Sequence, residues 1–167
     1  MATSSRRAAG NDAMNRRRQH GFTLVELVMT ITIFVVLTLI AVPYLGTFVQ
    51  SQRVKNAAMD MSSSVIYARS EAIKRNAQID ITANTGGWGN GWRVLSGGKS
   101  LRSYDAYTNL DIAAKNGSAT LSFGGDGRMV TSADSFQVKP TEANTKQQPL
   151  CVAVGTSGRV TTAGGPC

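Results

Sequence analysis

From Phe22 to Leu45 the chain runs through 24 residues in which Glu26 is the sole charged side chain. About 20 apolar residues cross the hydrocarbon core of a bilayer as a helix, so residues 22–45 are expected to form a membrane span. Arg6, Arg7, Arg16, Arg17 and Arg18 lie ahead of it, and a polar segment from Gln50 to Lys55 follows. A secretory signal peptide would instead have a shorter apolar core ending at a small-residue cleavage site. The arginines are expected to stay cytoplasmic, with everything beyond Leu45 on the other side of the membrane.

An unpaired carboxylate held in hydrocarbon costs about 2–3 kcal/mol even on lenient insertion scales. Glu26 therefore predicts a cationic partner inside the membrane. The plainer alternative is a carboxylate solvated among the headgroups. The formal net charge of +8 points towards a polyanion partner, but five of the 18 basic side chains and one of the ten acidic ones lie within residues 1–21, leaving +4 for residues 22–167. That remainder is weak support for nucleic-acid binding. Cys151 and Cys167 are the only cysteines. On an oxidising side of the membrane they could pair, closing a loop worth about 3 kcal/mol on the chain-entropy account. Two free thiols are the other reading.

Beyond the span, Val54, Ala58, Met61, Val65, Ala68 and Ala72 recur at alternating spacings of four and three, which marks one helical stripe. Gln50, Arg53, Lys55, Asp60, Ser63, Arg69, Glu71 and Lys74 fall largely off it, so residues 46–76 are expected to be an amphipathic half-helix lying against a domain. Pro43 and Gly46 predict a kink or melted stretch near residues 38–46. After Asn76 short β-like runs separated by glycine take over: 78–82, 92–96, 119–123, 128–131, 135–138, 150–154 and a last one including 159–162. Gly124-Gly125-Asp126-Gly127 reads as a tight connection and 141–149 as an exposed loop. No internal repeat is evident. The expected class is α+β: a long N-terminal helix, transmembrane then amphipathic, packed on a small antiparallel β-sheet domain at 77–167.

A basic leader ending in Gly21, followed by Phe22, Thr23, Leu24, Val25 and Glu26 at the head of an apolar helix, resembles the signal of type IV pilins and type II secretion pseudopilins. Trp88-Gly89-Asn90-Gly91-Trp92, the glycine-rich turn with Arg128, and Ser157-Gly158-Arg159-Val160 near a cysteine resemble the GspH/FimT-type minor pilins. The resemblance implies that residues 1–21 are a leader removed by a prepilin peptidase between Gly21 and Phe22, with methylation of the new Phe22 amine. It also implies an inner-membrane subunit with a cytoplasmic N-terminus and a periplasmic domain, which assembles with other pilin or pseudopilin subunits. The new amine of one subunit would then neutralise Glu26 of its neighbour. Members that capture DNA carry a Gly-Arg-x-Arg stretch; here Thr161 stands at its fourth position. Arg159, Arg128, Lys139 and Lys146 nevertheless make a basic patch for DNA an alternative. Trp88 and Trp92 could stack on bases, but aromatic residues beside a strand more often fill a core.

Nothing in the pattern supports catalysis. The single histidine, His20, falls in the expected leader, leaving no imidazole for a triad or a metal. Asp126 lacks the alternating oxygens and closing glutamate of a calcium loop, and Trp88-Gly89-Asn90-Gly91 does not open a helix that could cradle a phosphate. No cofactor or metal is expected. The expected role is a minor pilin of a type IV pilus or a pseudopilin of a type II secretion system. A DNA-uptake subunit and a plain single-pass anchored protein are the alternatives.

Overall fold

The structure is a computed structural model that describes residues 22–142 and 147–167. Residues 1–21, the expected leader with Gly21, and Lys146 lie outside the described residues. The chain divides into two units, Met1–Ile40 and Ala41–Cys167.

In the first unit, helix α1 (Leu24–Arg75) begins. Leu24–Ala41 is long and apolar enough to cross a membrane, and none of it is buried. Its threonine hydroxyls are satisfied within the helix: Thr30 Oγ1 donates to Leu27 O at 2.8 Å, Thr32 Oγ1 to Val28 O at 2.7 Å and Thr38 Oγ1 to Phe34 O at 2.6 Å. In a lipid environment such internal bonding removes the penalty of unpaired hydroxyls. The melted stretch allowed for near residues 38–46 is not seen, since the backbone is helical there.

The second unit holds the rest of α1 and eight strands: β1 (Ile79–Ala83), β2 (Trp92–Ser96), β3 (Lys99–Tyr104), β4 (Leu110–Ala114), β5 (Thr120–Phe123), β6 (Asp134–Pro140), β7 (Leu150–Val154) and β8 (Val160–Gly164). They form two four-stranded antiparallel sheets, ordered β3-β2-β1-β5 and β4-β6-β7-β8. The small antiparallel β-sheet domain expected from sequence is built from this pair of sheets.

The stripe Val54, Ala58, Met61, Val65, Ala68 and Ala72 is at most 1% exposed and meets Ile79, Ile81, Leu121, Phe123, Phe136, Val138 and Val152 in one core. Glu71, read as off this stripe, is instead only 8% exposed. It is tolerated there because Arg75 Nε lies 2.6 Å away and Lys74 Nζ 3.6 Å away. The Arg75 hydrogen bond leads in holding the Glu71 carboxyl below its usual range, against its desolvation. Helix α1 ends at Asn76, whose φ of 45° and N–H to Ile73 O turn the chain into β1.

Two strands were not anticipated, β3 and β4. Conversely, residues 128–131 make no strand; Met129 forms one bridge to Phe123. That segment lies along the edge of β5, with Val130 N donating to Ser122 O at 2.8 Å and Ser122 N to Thr131 Oγ1 at 3.2 Å.

Candidate assembly surfaces and the paired arginine turns

Thr23 caps the first turn of α1: Glu26 N donates to Thr23 Oγ1 at 3.2 Å and Leu27 N to Thr23 O at 3.1 Å. A threonine N-cap with glutamate at the third helical position is the pattern of a capping box. The partial positive charge of a helix start also favours a carboxylate there. Thr23 thus starts the helix, and Glu26 occupies the position at which a carboxylate suits the helix dipole. Phe22, just ahead, is 78% exposed.

Within the second unit α1 has another uncovered line. Met59, Ile66 and Ile73 are 67%, 58% and 51% exposed and recur every seven residues, away from the core stripe. Ser63 and Ser70 are exposed beside them. Large side chains at a seven-residue spacing with small ones alongside suit packing against another helix.

Of the basic residues singled out in the sequence, Arg128 and Arg159 sit on paired turns, whereas Lys139 lies on β6. Gly124-Gly125-Asp126-Gly127-Arg128 and Gly155-Thr156-Ser157-Gly158-Arg159 are the same turn built twice. In the first, Gly124 N donates to Arg128 O and Gly127 N to Gly124 O, both at 2.8 Å. In the second, Gly155 N donates to Arg159 O at 2.9 Å and Gly158 N to Gly155 O at 2.8 Å. Gly127 and Gly158 hold φ of 75° and 73°, the left-handed region that glycine enters without steric penalty.

Both turns close on the helix. A Cβ on Gly127 would lie 2.6 Å from Ile73 Cδ1 and 3.3 Å from Arg69 Nε. One on Gly158 would lie 2.6 Å from Gly127 O and 3.2 Å from Arg69 Nε. Met129 N donates to Thr156 O at 3.0 Å and ties the turns together. Arg69 Nε, beneath them, is buried and has no hydrogen-bond partner among the described residues.

Arg128 and Arg159 are exposed and stand on adjacent turns. Among the described residues the ion pairs are Glu71 with Lys74 and Arg75, and Lys139 with Asp111 at 3.4 Å. Lys139 is therefore matched by an acid, whereas Arg69, Arg128 and Arg159 are not.

The tryptophans are core. Trp88 and Trp92 are 4% and 0% exposed. Trp92 stacks with Tyr104 and Tyr107 at centroid distances of 5.0 and 5.7 Å, and Trp88 meets Phe136 edge-on at 4.8 Å while its Nε1 donates to Ser118 O at 2.8 Å. Neither ring is presented for base stacking. Tyr107 Oη donates to Asp60 Oδ2 at 2.7 Å, linking the segment after β3 to the helix, and burial together with that carboxylate pushes its pKa up. Asp134 is 2% exposed. Burial pushes its pKa up, but hydrogen bonds from Ser118, Asn116 and Ser135 outweigh this and hold it below the usual range. Cys151 and Cys167 are joined as a disulfide with Cα atoms 5.0 Å apart.

Comparison with known proteins gives concordant matches. The family described as Type II transport protein GspH matches residues 57–158, and the Prokaryotic N-terminal methylation motif matches residues 16–42. No curated protein matches. Among solved structures, the type IV minor pilin FimU of Pseudomonas aeruginosa aligns in one crystal form with a TM-score of 0.60 and 23% identity over 70% of this chain and 92% of that one. In a second form the values are 0.57 and 25%, over 65% and 91%. The minor pseudopilin EpsH from the Type 2 Secretion System of Vibrio cholerae aligns with a TM-score of 0.53 and 11% identity, over 67% and 97%.

Proposed function

This chain belongs to the GspH family and is a type IV minor pilin or pseudopilin of the GspH/FimT kind, and from that premise we propose that it is a minor subunit of a type IV pilus rather than of a secretion pseudopilus. The observation carrying the assembly role is the apolar segment Leu24–Ala41 of α1, none of which is buried among the described residues and which a methylation motif overlaps. An exposed apolar surface of that size calls for lipid or other helices. The disulfide and the glycine–arginine tail favour the pilus side. The chain would be anchored in the inner membrane, with residues 1–21 cytoplasmic until a prepilin peptidase cuts at Gly21 and the Phe22 amine is methylated. On joining the filament, that amine would meet Glu26 of a neighbouring subunit.

The test is Glu26→Gln. Glutamine also serves the third position of a capping box, so this change removes the charge and leaves the helix start in place. We expect the variant to be cleaved to an N-methylated Phe22, read by mass spectrometry, and to enter filaments about tenfold less well. Equal incorporation would refute the electrostatic pairing, and an intact Met1 on the membrane-extracted parent would favour the plain anchor.

The paired turns favour a second reading, DNA capture, since they bring Arg128 and Arg159 together without acidic partners. Under this reading the full chain in detergent retards duplex DNA with a steep salt dependence. Replacing both arginines by alanine lowers the logarithmic salt slope by about 2. No retardation at low salt removes this reading.

A further inference from the structure

Two four-stranded sheets have four edges, and an edge presents unpaired N–H and C=O groups that proteins normally cover or blunt. Three of these are so treated. The β5 edge is overlaid by residues 129–131. The β4 edge faces the turn at Trp88–Asn90 so closely that a Cβ on Gly89 would lie 3.5 Å from Leu110 O. β3 carries Lys99 and Arg102 and shifts register against β2 between Val94 and Leu95.

β8 has none of these protections. Its sequence, Val-Thr-Thr-Ala-Gly, contains no charge and no proline, and Thr161 to Gly164 are exposed. The ladder fixes which groups are free. Gly155 N donates to Arg159 O and Gly165 N to Pro149 O, so the odd-numbered residues of β8 bond to β7. By the alternation of an antiparallel pair, Val160, Thr162 and Gly164 turn their N–H and C=O groups away from β7. No hydrogen bond from these groups to another backbone group occurs among the described residues. Threonine and valine favour the extended conformation, and the small Ala163 and Gly164 offer no obstruction.

We propose that the outer edge of β8 receives an extended strand from an unlike pilin-type subunit, extending the β4-β6-β7-β8 sheet across a subunit boundary. An unlike partner is favoured because, among the described residues, this chain's β4 and β5 edges are covered and its β3 edge is charged and bulged, so the unblunted edge that a second copy offers is again β8. That pairing would be a closed two-fold dimer, which cannot propagate along a helical fibre. The inference rests on the filament reading above.

The experiment places the photo-reactive residue p-benzoylphenylalanine at Ala163 of the full chain in cells assembling filaments, with Ser103 on β3 as the comparison site. Irradiation is expected to join position 163, and not 103, to a different pilin-type chain, identified by its processed N-terminus. Thr162→Val loses the hydroxyl contact to Ser62 Oγ (3.0 Å), retains the outward N–H, and is expected to preserve the adduct. Thr162→Pro removes that N–H while leaving the bonds to β7, and is expected to reduce the adduct about tenfold. Hydrogen exchange over residues 160–164 is expected to slow in filaments relative to the detergent-solubilised subunit, a readout that needs no variant. Incorporation without an adduct, an adduct only to a second copy or to a non-pilin envelope protein, or unchanged exchange overturns the proposal alone. Absence of the chain from filaments overturns the filament reading with it.

Discussion

Replacing Gly158 by alanine separates the part of the glycine–arginine tail that builds the fold from the part that faces solvent. A left-handed φ of 73° costs a side chain about 1–2 kcal/mol. The added Cβ would also fall 2.6 Å from Gly127 O and 3.1 Å from Arg69 Cδ. The first of these is backbone, held by the companion turn, and overpacking of this kind typically adds about 1–3 kcal/mol. A total near 3 kcal/mol follows, a fall in Tm of about 10 °C for a unit of this size. Gly97→Ala is the control, since Gly97 also has a positive φ, 54°, but a Cβ there meets nothing within 4 Å. It should lose only about 1 kcal/mol, from the backbone alone. Arg159→Ala, at an exposed position, should change stability by less than about 0.5 kcal/mol. The assay is thermal unfolding of the full chain in detergent, followed by emission of the two buried tryptophans. If Gly158→Ala and Gly97→Ala melt within about 1 °C of each other, the seating of Gly158 on its companion turn and Arg69 is wrong.

Asp134→Asn should destabilise by about 2 kcal/mol at neutral pH, because backbone N–H groups converge on its carboxylate. Since its folded pKa lies below the ordinary 3.8, its contribution is present above that value and disappears as pH falls through the folded pKa. The parent should therefore lose more Tm than the variant on acidification from about pH 5 to pH 2. Replacing Cys151 and Cys167 together by serine should cost about 3 kcal/mol for a separation of 16 residues, and reductant should lower the parent's Tm by a similar amount. Tyr107→Phe, which loses the bond to Asp60, should cost about 1 kcal/mol in the same melt.

The core face of α1 was readable because its four-and-three spacing is a property of the helix alone, and β2 and β7 were readable as short β-branched runs between turn residues. β3 escaped notice because it is an edge strand with only Tyr104 buried, so Lys99, Ser100, Arg102 and Ser103 hide its alternation. β4, Leu-Asp-Ile-Ala-Ala, alternates only briefly and ends in alanines of poor strand preference. Residues 128–131 have strand composition but find a bridge at one position, since β5 is short and the chain leaves its edge. Arg128 and Arg159 could be named from sequence, but their pairing could not. It depends on Arg69, more than fifty residues earlier, and on a repeat of five residues, too brief to register as a period. Glu26 is legible as a charge out of place, and the cap that Thr23 provides three residues before it is legible as a threonine ahead of an apolar run.

The disulfide also has a mechanical consequence. It ties β7 to the segment just past β8, so the last strand is enclosed in a covalent ring between Cys151 and Cys167. A pull on Cys167 is transmitted directly to the interior of the sheet and cannot peel β8 away one bond at a time. Once the sulfur link is reduced, β8 is held to β7 by its hydrogen-bond ladder alone and can unzip from its end.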